Sequence, residues 1–454
     1  MPLYNQILNI ETPFGPIQAD LDDIKDAITH VSQGLHLLDQ EQQSMQSYIG
    51  PNLEQKRKDY GGRSYVGWAH AIDTVLEKGW KITRVTNFHH GTVEKPPTYL
   101  EEKVMLNGQM EIIKVPHQAT FYVEENNGSE DPNRMCIRYT SYDTYEVDIL
   151  FAFQTGFDFG SFWNSVEEEY YRHGIYKQAK ISADFRFLDL PALDFDDVVL
   201  TEEQNNLLTR NILKYVENLH VYQENGLPSS RGILLTGPPG TGKTLTCNVI
   251  IQDLDSTVIY VSRNAIKDVG QISELYELAR KLAPTLVIIE DIDTLGGIDR
   301  EDTDHPLLGE FLNCLAGVEE NQGVITLATT NYPQNLDWAL ADRPGRFDVR
   351  IDFGYPNEKV RENILLKYLE PLRTKGIKVK DLAKKTDGFS GAYLREIVQQ
   401  AFISAFEGHD YDADKVVVTQ QDLLDSLKEM EKQKAIINKE NRRAGPEVST
   451  ELYG

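Results

Sequence analysis

Cysteine is scarce: Cys136, Cys247 and Cys314 are the 3 in 454 residues. They lie far apart in no metal-ligand spacing, which excludes a disulfide scaffold and a structural zinc and points to a reduced, cytoplasmic protein. Basic residues are outnumbered, 46 Lys plus Arg against 71 Asp plus Glu, for a net charge of −25. That balance opposes nucleic acid and anionic lipid as partners, and the longest basic cluster is Lys56-Arg57-Lys58. No uncharged apolar run approaches the roughly 20 residues needed to cross a bilayer, so membrane insertion is not expected. Residues 1–20 have no basic region ahead of an apolar core, so no secretion signal is read there. What is present, 40% hydrophobic and 26% charged residues, is the composition of folded domains. The length predicts two or three of them at roughly 150 residues each.

Leu21, Ile24, Ile28, Val31, Leu35 and Leu38 recur at steps of three and four, the stripe of a helix over residues 20–46 that packs in its own chain or pairs as a coiled coil. Residues 1–60 are therefore expected to be a helical segment, ending in a charged linker at residues 55–62. Residues 61–184 read as an α+β or mainly β domain. A helix over residues 64–78 precedes strands in KITRVTNF, MEIIKV, ATFYVE, RMCIRYT and EVDILFAF, rich in β-branched and aromatic side chains. Aromatics from Phe121 to Trp163 fill the core by alternation, and those left over are candidates for a partner surface. His89, His90 and His117 read as ordinary side chains, because adjacent residues of a strand point to opposite faces.

From residue 185 the pattern changes. ILLTG, TVIYVS, TLVIIED and VITLATTN are short apolar runs with helices between them, the pattern of an α/β parallel sheet over residues 185–355. Helices alone follow over residues 356–438, as a lid, and residues 439–454 read as a flexible tail.

Gly237-Pro238-Pro239-Gly240-Thr241-Gly242-Lys243-Thr244 fits G-x-x-x-x-G-K-[ST] between a strand and a helix opening at Leu245. Its backbone amides can curl around a phosphate, Lys243 can neutralise phosphate oxygens and the Thr244 hydroxyl can ligate Mg²⁺. Some 45 residues on, a buried strand ends in Glu290-Asp291, placing two carboxylates at the same sheet edge. One can hold Mg²⁺, and its neighbour can polarise a water. Glu290 is assigned to the metal and Asp291 to the water. The next strand ends in Asn331, which can orient that water. Arg343 and Arg346 flank a Pro-Gly turn and suit a bidentate grip on phosphate.

GPPGTGKT, LVIIEDID, LATTN, ADRPGRFD and GFSGAYL together resemble the AAA module of the AAA+ ATPases over residues 195–432. The resemblance implies an ATP- and Mg²⁺-using, ring-forming, usually hexameric enzyme that remodels a protein partner. By it Glu290 and Asp291 are the Walker B pair and Asn331 is sensor 1. Arg343 and Arg346 are fingers that reach a neighbour's ATP, and Asp197-Val198 and Gly391-Ala392 border the adenine. The sequence departs from the family in three places. The Walker B order is Glu-Asp, as in the mitochondrial Rieske-protein translocases; the usual aromatic pore loop reads Asp268-Val269-Gly270; and residues 299–304 are acidic where a second pore loop is expected.

The function expected is that of a homo-oligomeric ATPase that remodels or gates an unidentified protein partner, recognised through residues 1–184. The alternative is a nucleotide-controlled switch that assembles with a separate effector, as in a prokaryotic defence pathway, without threading. A clamp loader or helicase ranks third because of the acidic charge.

Overall fold

The computed structural model describes residues 7–12, 15–20, 41–87, 95–106, 109–262, 265–266, 270–294, 306–316, 321–333, 346–412 and 414–443. The chain divides into two units, Met1–Lys177 and Gln178–Gly454.

In the first unit, strands β1 (Ile7–Thr12) and β2 (Gly15–Asp20) form an antiparallel hairpin, so the N-terminal segment is not wholly helical. Most of the expected helix at residues 20–46 lies outside the described residues; residues 41–49 are a helix, α1. The charged stretch read as a linker is instead β3 (Leu53–Tyr60), paired along its whole length with β8 (Glu146–Gln154). It is an edge strand with Lys56 and Arg57 exposed, and charge on an edge is a means of preventing further pairing. The rest of this antiparallel sheet is β4 (Trp80–Thr86), β5 (Thr98–Leu106), β6 (Gln109–Glu125) and β7 (Arg134–Asp143), in the order β3-β8-β7-β6-β4 with β5 also on β6. The two stretches read as separate strands, MEIIKV and ATFYVE, are the halves of one 17-residue strand. Its first half pairs with β5 and its second with β4 and β7.

Alternation sorts the two faces of the sheet. Tyr122, Cys136 and Ala152 pack on Met45 and Ile49 of α1. Phe121, Tyr139, Phe151 and Phe153 lie on the other face, where helix α2 (Ser64–Gly79) and helix α3 (Phe159–Glu168), with its π-helical turn Glu169–His173, cover them through Tyr65, Phe159 and Trp163. Trp68 of α2 stacks on Tyr170 at 3.9 Å between ring centres. A Cβ on Gly67 would stand 2.3 Å from the Tyr176 ring, so glycine is what lets that ring approach.

The second unit is built on a six-stranded parallel sheet: β9 (Lys180–Ser182), β10 (Arg231–Thr236), β11 (Thr257–Val261), β12 (Thr285–Ile289), β13 (Val324–Thr330) and β14 (Val349–Asp352). The order is β14-β10-β13-β12-β11-β9, every pair parallel. β9 belongs to this sheet although the sequence reading placed residues 180–182 in the preceding domain; a three-residue strand is too short to show a period. Helices α4 (Glu202–Leu208), α5 (Lys214–Glu217), α6 (Leu219–Glu224), α7 (Lys243–Asp253), α8 (Gln271–Lys281) and α9 (Pro306–Ala316) accompany it. Ile233, Leu235, Ile250, Val258, Leu286 and Leu327 form its core.

The lid consists of α10 (Glu358–Leu369), α11 (Val379–Lys385), α12 (Gly391–Gly408) and α13 (Gln420–Arg443), and it is not helices alone: β15 (Thr374–Lys375) pairs in parallel with β16 (Val418–Thr419), strands of two residues too short to show a period. The helices close around Leu365, Leu382, Leu394, Ile397 and Leu423. α13 runs through Arg443, so the first residues assigned to the tail are helical. Among the described residues no helix is long and apolar enough to cross a membrane.

Candidate active site

Parallel strands bring their C-terminal ends to one edge, and the turn from β10 into α7 lies there. Gly237, Gly240 and Gly242 hold φ values of +146°, +77° and +106°, which expose successive backbone N–H groups. A Cβ on Gly240 would lie 2.8 Å from the Ala392 Cβ, and the Ala392 amide donates to the Gly240 carbonyl at 3.0 Å. The loop therefore touches the lid. Lys243, only 5% exposed, folds back over it, with Nζ donating to the Gly237 and Pro238 carbonyls at 2.5 and 2.9 Å. Burial lowers its pKa to about 8, against the opposing pull of Asp291 and Asp293.

A cavity of about 350 Å³ opens beside this loop. Of the residues singled out in the sequence, Asp197, Val198, Pro239, Gly240, Thr241, Gly242, Lys243, Thr244, Leu245, Asp291, Asn331, Gly391 and Ala392 line it. Gly237 and Pro238 lie beneath, as acceptors for Lys243. The size and the mixed polar and apolar wall suit a nucleotide.

The two acids that follow β12 part company. The Glu290 amide extends the ladder, donating to the Val261 carbonyl at 3.2 Å. Its carboxylate accepts from the Tyr260 hydroxyl on β11, with Oε2 at 2.6 Å, and its Oε1 is buried without a hydrogen-bond partner. Burial, then the Glu290 contact, keeps that phenol protonated. Asp291 has a left-handed φ of +47°. Its amide donates to the Thr329 hydroxyl at 3.0 Å and its Oδ1 accepts from Asn331 Nδ2 at 2.9 Å. Asp291 thus faces the cavity beside Asn331, and Glu290 does not line it.

Arg346 is buried, 9% exposed, and does not line the cavity of its own chain. Its carbonyl lies so close to β10 that a Cβ on Gly232 would be 1.7 Å away. His89, His90, Arg343, Asp268, Val269 and residues 299–304 lie outside the described residues.

The sequence reading did not single out several residues at the site. Lys367 of α10 lines the cavity and ties the lid to its other wall, with Nζ donating to the Asp196 carbonyl at 2.8 Å and to Asp197 Oδ1 at 3.1 Å. No spacing joins positions 170 residues apart. Arg395 also lines it and was findable, being one helical turn beyond Gly391. Tyr260 reads as one more strand aromatic.

Comparison with known proteins places this site in a family. Residues 233–355 match the family described as "ATPase family associated with various cellular activities (AAA)". A proteasome-activating nucleotidase of Sulfurisphaera tokodaii is 34% identical over 283 residues, covering 59% of this chain and 69% of that protein. One of Thermococcus onnurineus is 30% identical, covering 54% and 63%. The ATP-dependent zinc metalloprotease YME1L1 of Mus musculus is 34% identical over 222 residues, where the chain spans 31% of its length. The protein is a P-loop ATPase. It belongs to the AAA family.

Proposed function

We propose that the chain is an oligomeric, Mg²⁺-dependent ATPase that remodels or gates a protein partner, with ATP held in the cavity between the P-loop and the lid. The observation that carries the reading is the Asp291–Asn331 hydrogen bond at the wall of a cavity that also holds Lys243. The amides of residues 237–244 and the Lys243 ammonium take the phosphates. Asp197, Val198, Gly391 and Ala392 border the base. Asp291 accepts the proton of the attacking water, and Asn331 holds that carboxylate in place. Thr244, on the cavity wall, would hold Mg²⁺, which when bound neutralises charge on the phosphate oxygens; Glu290, which does not line the cavity, would support the ion through water with its unpaired Oε1. Arg343 and Arg346 act on the nucleotide of a neighbouring subunit in a homo-oligomeric, hexameric ring, the assembly implied by the AAA resemblance.

The names of the relatives, a proteasome activator and a protease, support protein as the class of substrate. A nucleotide-dependent switch acting on a separate effector is the second reading, favoured by Asp268-Val269-Gly270 in place of an aromatic that would grip a threaded chain. Asp291→Asn tests the first reading. It should keep ATP binding in calorimetry and lower turnover about 10²–10⁴-fold, the range of a positioned base. Unchanged turnover would remove Asp291 from the chemistry.

A further inference from the structure

The Glu290–Asp291 pair poses a physical question about the residue nearer the strand. A glutamate has one more rotatable bond than an aspartate, so the carboxylate of Glu290 needs an outside contact to occupy one place. The structure shows that contact: the Tyr260 hydroxyl, on the neighbouring strand, donates to Oε2 at 2.6 Å. The Tyr260 ring is fixed in turn, half-buried against the core that contains Ile250, Val258 and Ile288, with its own carbonyl accepting from the Ala183 amide at 2.9 Å. One carboxylate oxygen is thereby taken, and Oε1 is left buried with no hydrogen-bond partner. An orphaned buried oxygen on an acid is a group awaiting a donor or a cation.

We infer that Tyr260 is a positioning residue of the ATPase: it anchors Glu290 by one oxygen and leaves the other free to support the metal through water. The inference rests on the proposed role of Glu290 in supporting Mg²⁺. Neither Tyr260 nor Glu290 lines the cavity. The effect of Tyr260 should therefore appear in metal dependence and not in the metal-free grip on nucleotide.

The test uses the full chain, with Tyr260→Phe, Glu290→Gln and the double variant. Two quantities are read: the Mg²⁺ concentration giving half-maximal turnover at saturating ATP, and ADP affinity by calorimetry in EDTA and in Mg²⁺. Tyr260→Phe keeps the ring and its packing. It should raise the half-saturating Mg²⁺ about 10–100-fold, the usual effect of removing a ligand's supporting partner, and leave ADP affinity in EDTA within about 2-fold. In the Glu290→Gln background the same change should add no further shift, because the two act as a unit. Wild-type Mg²⁺ dependence in Tyr260→Phe, with Glu290→Gln impaired, would overturn the role of Tyr260 while sparing that of Glu290. Wild-type Mg²⁺ dependence in Glu290→Gln would instead overturn the assignment of Glu290. Additive shifts in the double variant, or lost ADP affinity in EDTA, would show that Tyr260 supports the fold and not the carboxylate.

Discussion

Both units hydrogen-bond tyrosine hydroxyls, but among the described residues only the antiparallel sheet's unit also strands buried ones. In the parallel sheet's unit, the hydroxyl of Tyr260 donates to Glu290, and that of Tyr276 bonds to Thr326 at 2.8 Å. In the antiparallel sheet's unit, Tyr122 bonds to Ser44 at 2.9 Å and Tyr176 donates to the Arg63 carbonyl at 2.8 Å, but Tyr65 and Tyr139 pack edge to face, 6.5 Å between ring centres, with their hydroxyls buried and no hydrogen-bond partner. Tyr170 lies flat on Trp68. The first arrangement uses a ring to deliver a polar atom to a set place; the second uses rings for their area and tolerates the stranded oxygens. Substitutions should therefore damage chemistry in one unit and stability in the other.

The largest expected effect lies in the parallel unit. Lys243→Ala removes the buried cation that faces the cavity and should weaken ATP binding by at least about 10²-fold in calorimetry, while the melting of residues 1–177 stays where it was. Retained affinity would break the contrast at its strongest point. A middle-sized effect is expected from Gly67→Ala, whose methyl would overlap the Tyr176 ring. Overpacking of this kind costs about 1–3 kcal/mol, so thermal unfolding of the first unit should fall by several degrees with nucleotide affinity unaltered. A loss of affinity there would break the contrast between ring packing and site chemistry.

The smallest effect concerns Asp73 on α2, where burial, assisted by Glu77, raises the carboxyl pKa to about 7. The unfolded chain releases that proton near pH 4, so the folded unit holds a proton the unfolded one lacks between about pH 4 and pH 7. Stability from this group is thus greatest at the acid end, falls as pH rises through that window and is level above it. Asp73→Asn should melt with the wild type near pH 4 and above it at pH 8, by about 1 kcal/mol, because the buried amide still wants partners. Identical pH profiles would show that Asp73 is solvated.

How much could be read beforehand follows the same division. The P-loop, the Glu290-Asp291 pair and Asn331 were legible because glycine, lysine and acid at fixed distances from apolar runs state both backbone shape and charge. The parallel sheet and the lid helices were legible through period and punctuation. β3 was not: an exposed edge strand carrying Lys56, Arg57 and Lys58 has the composition of a linker. β5, with Glu101, Glu102 and Lys103, was lost in the same way. Lys367 and Tyr260 act through contacts made by folding alone, across 170 and 30 positions, and no local pattern announces them.

The left-handed backbone at Asp291 bears on heredity. Aspartate and asparagine tolerate a φ of +47° far better than a longer acid does, so the order Glu-Asp is tied to the shape of the chain at that peptide. Reversing it would need two exchanges. Each intermediate, Asp-Asp or Glu-Glu, either falls short of Tyr260 or puts the bulkier side chain in the disfavoured conformation. A lineage that arrived at this order has a barrier on both sides of it, and would be held there by local geometry whatever its partner protein became.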